Sequence, residues 1–282
     1  MPELPEVEVL VRHLAPLVQG KVIRAVEVRR EKVIQPTTIA ALQRALRGAR
    51  IVGVTRRAKY YLIELRQQGQ QESSLVVGHL GMTGRVFLAA KRQPLPKHAA
   101  VVLDLGRSSL VYEDTRYFGR FSLSASALAE LGPEPLSSRF TTDSFAAALK
   151  RSSQAIKVKL LDQTLVAGIG NIYASEALHR AGISPRRAAC SLTRSEVARL
   201  RNAIRKVLTE AIRFGSTVPL NFNGRRGNGL FYYGRAEDAL DYYEERLRVY
   251  DRAGARCRRC GNSVRRIVQA RRSTYFCPGC QT

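Results

Sequence analysis

Two stretches, one at each end of the chain, carry residue types that could do chemistry. The first is Met1-Pro2-Glu3-Leu4-Pro5-Glu6-Val7-Glu8. Removal of Met1 would leave Pro2 with a free secondary amine next to a carboxylate. An α-amino group has a pKa of about 8, against about 10.4 for lysine, so a useful fraction is unprotonated near neutrality. Such an amine can attack an electron-poor carbon and form an iminium. The same residues also suit a plain helix start, because proline fits the first turn and glutamate there favours the helix dipole. Taken alone, the segment favours the helix start.

The second stretch is Cys257-x2-Cys260-x16-Cys277-x2-Cys280. Each pair can wrap one turn around a cation, and four thiolates suit a closed, tetrahedral, structural zinc site with no catalytic position open. Arg252, Arg256, Arg258, Arg259, Arg265, Arg266, Arg271 and Arg272 surround the cysteines, and no acidic residue follows Asp251. An arginine-loaded zinc hairpin is expected to grip phosphates. Cys190 stands apart and reads as a small apolar group.

Between these ends lie weaker signals. Gly168-Ile169-Gly170-Asn171 opens a helical stretch, but a dinucleotide-binding motif would need a third glycine where Tyr173 stands. What remains is a glycine turn at a helix start, able to bind phosphate with an extra donor from Asn171, or a tight turn with no ligand. His79-Leu80-Gly81-Met82-Thr83-Gly84 would display Met82 between glycines, as a wedge for stacked bases or as ordinary packing. Arg116 and Phe118 in Asp114-Thr115-Arg116-Tyr117-Phe118-Gly119 carry the same pair of readings. Lys59 is either a phosphate ligand and proton carrier or a surface lysine.

Val7, Leu10, Val11, Leu14 and Val18 recur at helical spacing before Gly20, predicting a helix over 6–19. Short apolar runs at 21–30, 50–56, 59–65, 74–80, 85–89, 100–105 and 109–113 predict strands, with a helix at 38–47 between them. After Gly132-Pro133-Glu134-Pro135 helical periods take over at 143–150, 155–162, 171–181 and 193–213, the last opening on a Thr193-Arg194-Ser195-Glu196 capping box. Residues 215–234 are rich in glycine, asparagine and arginine, long for an inert connection. The expected architecture is α+β and multidomain, with an N-terminal β-sandwich and flanking helices (2–130), a helical domain (131–246) and a four-cysteine zinc finger (247–282).

Composition narrows the partners. There are 47 basic and 23 acidic residues, a formal charge of +24, which predicts an anionic partner, nucleic acid before membrane. No apolar run is long enough to span a bilayer, and the N-terminus carries carboxylates where a signal peptide would be basic and then apolar. A soluble, cytoplasmic, nucleoid-associated monomer is expected, with thiols that hold metal and not disulfides.

Taken in order, Pro-Glu-Leu-Pro-Glu-Val-Glu, the Lys59 strand, His-Leu-Gly-Met-Thr-Gly, Arg-x-Phe-Gly, Gly-Ile-Gly-Asn-Ile-Tyr-Ala-Ser-Glu and the four-cysteine tail closely resemble the bacterial formamidopyrimidine-DNA glycosylase family, from residue 2 to residue 280. The resemblance implies a helix-two-turn-helix middle domain, DNA in a cleft, one structural Zn2+ on Cys257, Cys260, Cys277 and Cys280, and no organic cofactor. It implies base-excision repair of double-stranded DNA with oxidised purines (8-oxoguanine, formamidopyrimidines) or abasic sites, the nick arising by β,δ-elimination. By position, Pro2 would be the Schiff-base nucleophile, Glu3 the proton donor, Lys59 the group acting in β-elimination, and Arg272 that assisting δ-elimination. Glu6 would hold the terminal helix at the DNA site. Met82, Arg116 and Phe118 would fill the gap left by the extruded nucleotide, and His98, Arg151 and Asn171 would bind the backbone. Tyr117 departs from the family, which often has a basic residue there. Asp251 stands where glycine is common, and the segment at 216–245, where the family builds its lesion cover, is unusual. The alternatives are an endonuclease VIII-like glycosylase for oxidised pyrimidines, against which Leu4 argues, and a non-catalytic zinc-ribbon damage-binding protein.

Overall fold

The computed structural model describes residues 2–91, 94–215 and 246–282. They form two compact units, one containing residues 2–129 and the other residues 130–214 and 246–282.

The N-terminal unit opens with helix α1 (Leu4–Val18), which buries Leu4, Val7, Leu10, Leu14 and Val18 completely. Each such side chain contributes roughly 1.5–3 kcal/mol on transfer out of water. Strand β1 (Ala25–Val28) and helix α2 (Ile39–Leu46) follow. Then come β2 (Arg50–Arg57), β3 (Tyr60–Arg66), β4 (Ser73–His79), β5 (Gly84–Ala90), β6 (Ala99–Asp104), β7 (Ser108–Asp114), β8 (Arg120–Ser122) and a single helical turn, α3 (Ser126–Ala129).

The strands form two antiparallel four-stranded sheets, in the orders β1-β6-β7-β5 and β2-β3-β4-β8. One apolar core joins them. Val86, Val101, Leu103 and Leu110 come from the first sheet, Ile51, Val54, Ile63 and Val76 from the second, and Leu10 and Leu14 from α1. This is the expected sandwich, with two differences. The run at 21–30 is not one strand: Val22 bridges to Arg50 in one sheet, while Ala25–Val28 pairs with β6 in the other. The chain changes sheets there, which closes a corner of the sandwich at the cost of strand length. The second difference is β8, whose three residues are too few to show an alternating pattern and which exists through its pairing with Val77–His79.

In the second unit, helices α4 (Thr142–Lys150), α5 (Ile156–Lys159), α6 (Asn171–Ala181) and α7 (Arg194–Gly215) precede a hairpin of β9 (Arg265–Gln269) and β10 (Arg272–Phe276). The capping box before α7 is formed: Thr193 N–H donates to Glu196 at 2.8 Å, and Glu196 N–H donates back to the Thr193 hydroxyl at 3.3 Å. The helix expected over 155–162 is only one turn, because the Asp162 carboxylate accepts from the Thr164 N–H at 2.9 Å and turns the chain out of the helix. Among the described residues no helix is long and apolar enough to cross a membrane.

Candidate functional site

In the N-terminal unit Glu3 occupies the cap of α1 and is 2% exposed, with Pro2 half-buried before it. The Glu6 carboxylate accepts from the Glu3 N–H at 2.5 Å, so Glu6 fixes the direction in which the chain leaves the helix. One turn on, Glu8 accepts from Arg56 at 2.7 Å and from Arg12 at 2.8 Å. Burial pushes the Glu8 carboxyl up, but hydrogen bonds from the two arginines outweigh it and hold the group below its ordinary range. Arg56 also donates to the Ala58 carbonyl at 3.1 Å. It therefore ties α1 to the two-residue turn of β2 and β3, where Ala58 takes a φ of +53° and Lys59 is 7% exposed. Lys59 is thus a buried lysine, not a surface one, and α1 packs on the strands that carry it.

Two turns at the end of the sandwich are held together by one carboxylate. Asp114 is fully buried; Oδ1 accepts from the Thr83 hydroxyl at 2.6 Å and the Arg116 N–H at 3.2 Å, and Oδ2 from the Gly119 N–H at 2.8 Å. Gly81, at a φ of +60°, sits so close to its neighbour turn that a Cβ would meet Gly119 N at 2.7 Å and Phe118 C at 2.8 Å. The turns thereby present Met82 and Phe118 at 48% and 52% exposure, with Arg116 4.9 Å over the Phe118 ring. His79 braces the first turn by accepting from the Gly81 N–H at 3.0 Å. Burial first, then Lys59 and Arg120, lower its pKa to about 4, so the imidazole is neutral at pH 7 and its Nδ1 lone pair is available.

In the second unit Asn171 opens α6. Its Oδ1 accepts from the buried Lys157 ammonium at 2.6 Å, and its Nδ2 donates to the Ser273 carbonyl at 2.9 Å. Asn171 therefore joins the glycine turn to β10, next to Arg272, which is exposed at the hairpin tip. Ala270 and Arg271 form that tip at φ values of +46° and +60°, the left-handed pair a two-residue hairpin requires. Arg151 caps the end of α4 and is exposed.

The four cysteine Sγ atoms lie within 4.8 Å of one another, with Cys257 to Cys280 at 3.8 Å and Cys260 to Cys277 at 3.4 Å. Zinc–thiolate bonds of about 2.3 Å at tetrahedral angles place sulfurs about 3.8 Å apart, so the residues fit one zinc ion. The Arg259 N–H lies 3.4 Å from Cys257 Sγ, a donor suited to a thiolate, and His179 Nε2 lies 3.5 Å from the same sulfur. Zinc would hold the hairpin and perform no chemistry on a substrate. The segment entering the finger is fixed by Glu176, a buried carboxylate accepting the Arg248, Val249 and Tyr250 N–H groups at 2.8–2.9 Å. Asp251 takes a φ of +55°, which accounts for the family's glycine there, and its carboxylate accepts from the Tyr275 hydroxyl at 2.9 Å.

Sequence reasoning had no role for Glu8, Arg56, Asp114, Lys157 or Glu176. Their only signal was a charged residue inside a recognised motif or an apolar run, and the partners that fix the site, Arg56 for Glu8, Thr83 for Asp114, Asn171 for Lys157 and residues 248–250 for Glu176, lie 14 to 74 positions away. The segment at 216–245, expected to cover the lesion, lies outside the described residues.

Comparison with known proteins defines the class. Three family profiles match in succession: "Formamidopyrimidine-DNA glycosylase N-terminal domain" over residues 1–121, "Formamidopyrimidine-DNA glycosylase H2TH domain" over 131–221 and "Zinc finger found in FPG and IleRS" over 254–282. This is the architecture of a zinc-finger DNA glycosylase. The chain belongs to the formamidopyrimidine-DNA glycosylase family. It is 41% identical to the formamidopyrimidine-DNA glycosylase of Carboxydothermus hydrogenoformans, with 100% of both chains covered. Among solved structures, it superposes on a Lactococcus lactis FPG mutant in complex with Fapy-dG-containing DNA at a TM-score of 0.86, with 32% identity and 100% of both chains covered. A complex of Lactococcus lactis Fpg with abasic-site DNA matches at a TM-score of 0.85, with 32% identity and 99% of both chains covered.

Proposed function

We infer that the chain is a base-excision repair DNA glycosylase and abasic-site lyase that removes oxidised purines, 8-oxoguanine and formamidopyrimidines, from double-stranded DNA in the cytoplasm. Family membership over the full length supports the enzyme class. The observation that carries the chemistry is a 2% exposed glutamate capping α1 directly after Pro2.

Once Met1 is cleaved, the Pro2 nitrogen has a lone pair. It attacks C1′ of an extruded nucleotide, and the bond from C1′ to the base breaks with its electron pair leaving on the base, which takes up a proton. Glu3 supplies protons at this centre, to the base or to the sugar ring oxygen as the ring opens to the iminium. The iminium acidifies the C2′ proton, whose loss expels the 3′ phosphate. A second elimination expels the 5′ phosphate, and water releases Pro2. Lys59 serves the first elimination and Arg272 the second, each beside a phosphate. Met82, Arg116 and Phe118 occupy the space the nucleotide vacates, while His98, Arg151 and Asn171 bind backbone and Glu6 holds the terminal helix. Functionally the chain divides into a catalytic part (2–130), a helix-two-turn-helix part with the lesion loop (131–246) and the finger (247–282).

Borohydride reduction tests this reading. Protein lacking Met1 should form a covalent adduct with an 8-oxoguanine duplex, and acetylation of the Pro2 nitrogen should abolish it. No adduct from correctly processed protein would overturn the enzymatic reading and leave a DNA-binding shell.

A further inference from the structure

We propose that Arg30, Tyr117 and His98 act as one phosphate-binding group, in which Tyr117 presents the Arg30 guanidinium and sets which nitrogen of His98 carries the proton. The ligand is a DNA phosphodiester, so the proposal rests on the reading of the chain as a DNA-repair enzyme.

Three segments meet at this group. The Arg29 and Arg30 N–H groups donate to the Ala100 carbonyl at 2.8 and 3.2 Å, and the Asp114 N–H donates to the His98 carbonyl at 3.1 Å. These bonds set the end of β1, the start of β6 and the turn after β7 side by side. Tyr117 has a φ of +53°, a conformation unfavourable for a residue with a Cβ. The flanking Arg116 and Phe118 are exposed, whereas the Tyr117 ring is half-buried against the apolar core. Its hydroxyl is the meeting point: Arg30 Nε donates to it at 3.0 Å and His98 Nδ1 lies 3.1 Å away. The guanidinium carbon is 5.5 Å from the ring centroid.

The proton inventory gives these contacts a direction. A phenol has one proton, and here its oxygen already accepts from a cation, which makes that proton a better donor. Donating it to His98 Nδ1 makes that nitrogen an acceptor and places the ring hydrogen on Nε2. Nε2 has no hydrogen-bond partner among the described residues, so His98 presents an N–H with its donor end uncommitted. Arg30 is exposed and has no carboxylate partner among the described residues; Glu27 is engaged by Arg29 at 3.2 Å. An uncompensated guanidinium beside an N–H donor, fixed through one hydroxyl, suits an anionic oxygen. Tyr117 thus takes the position of a basic residue and recruits its charge from the segment that follows β1.

Binding of the zinc-loaded protein to a duplex with a stable abasic analogue, followed by fluorescence anisotropy across a potassium chloride series, tests the group. Arg30→Gln should weaken binding on the order of five- to tenfold and lower the slope of log K against log salt by about 0.9, one phosphate contact. Tyr117→Phe, which removes only the hydroxyl, should show part of both losses, and the double variant should lose less than the sum of the two single losses because the Arg30 part is shared. In 15N-histidine spectra of the wild type, His98 should be protonated at Nε2 and not at Nδ1, and Tyr117→Phe should give a mixture. A wild-type salt slope in Arg30→Gln, additive losses in the double variant, or a proton on His98 Nδ1 would each overturn the proposal. So would an Arg30→Gln effect on inorganic phosphate competition with duplex affinity unchanged. Borohydride trapping by the wild type tests the enzymatic reading separately, since its failure leaves the salt slopes measurable.

Discussion

Replacing Asp114 by asparagine keeps the shape of the side chain and exchanges one acceptor oxygen for an NH2 donor. In the native carboxylate both oxygens accept, from Thr83 and Arg116 N–H on one side and from Gly119 N–H on the other. Whichever way the amide turns, its NH2 faces a backbone N–H, so one donor, the buried Gly119 N–H or the part-buried Arg116 N–H, loses its partner. A hydrogen bond to a charged group contributes about 1.5–3 kcal/mol, and an unsatisfied buried donor costs a further ~1–3 kcal/mol. The Thr83 bond survives in either orientation, because a hydroxyl can donate or accept. The expected loss is therefore about 3 kcal/mol, or roughly 10 °C in the melting temperature of the N-terminal unit. The functional effect should exceed the loss of fold, because Asp114 joins the turn of Met82 to the turn of Phe118 while the strands behind them keep their own core. With 2-aminopurine beside the lesion, base extrusion in Asp114→Asn should be on the order of tenfold slower, each ~1.4 kcal/mol of lost ordering in the filled gap being worth one factor of ten. A melting temperature within about 2 °C of the wild type together with wild-type extrusion would refute the reasoning about this carboxylate.

Glu176→Gln puts an NH2 against one of three backbone donors at the entrance to the finger, so zinc should pass to a chromogenic chelator several-fold faster, with about 3 kcal/mol lost from the second unit; an unchanged release rate would count against Glu176 as the anchor. Elemental analysis should give about one zinc per chain, and chelation should abolish duplex binding, since the arginines of β9 and β10 lose their scaffold; full binding by metal-free protein would contradict this. His79 should titrate near pH 4 in NMR spectra. Its folded pKa lies below the unfolded value of about 6.5, so its contribution to stability is complete above about pH 6.5 and is lost as pH falls through about 4. A midpoint near 6.5 would show that the imidazole is not buried in the Met82 turn. Lys157→Met should free the Asn171 amide and weaken abasic-duplex binding on the order of tenfold, read by anisotropy, if the hold on β10 at Ser273 positions Arg272; unchanged affinity would remove Lys157 from the DNA-binding elements.

What sequence alone determined was local in character. The spacing of Cys257, Cys260, Cys277 and Cys280 requires only two short turns to bring four sulfurs together, and the sulfurs are within 4.8 Å of one another. The periodicity of Val7, Leu10, Leu14 and Val18 needs only one buried face to become α1. The paired turns announced themselves through Gly81, Gly84 and Gly119, each of which leaves no room for a Cβ. Tertiary structure alone decided which polar and charged groups meet. Arg56 meets Glu8, Asn171 meets Ser273, Glu176 meets residues 248–250, and Arg30 meets Tyr117 across 87 positions of sequence. An apolar side chain gains from any apolar neighbour, so its pattern is visible without knowing the partner. A buried charge is tolerated only beside one particular group, and that group is chosen by the path of the whole chain. The split of residues 21–28 between two sheets has the same origin, for a strand's partner is a matter of topology and not of its own composition.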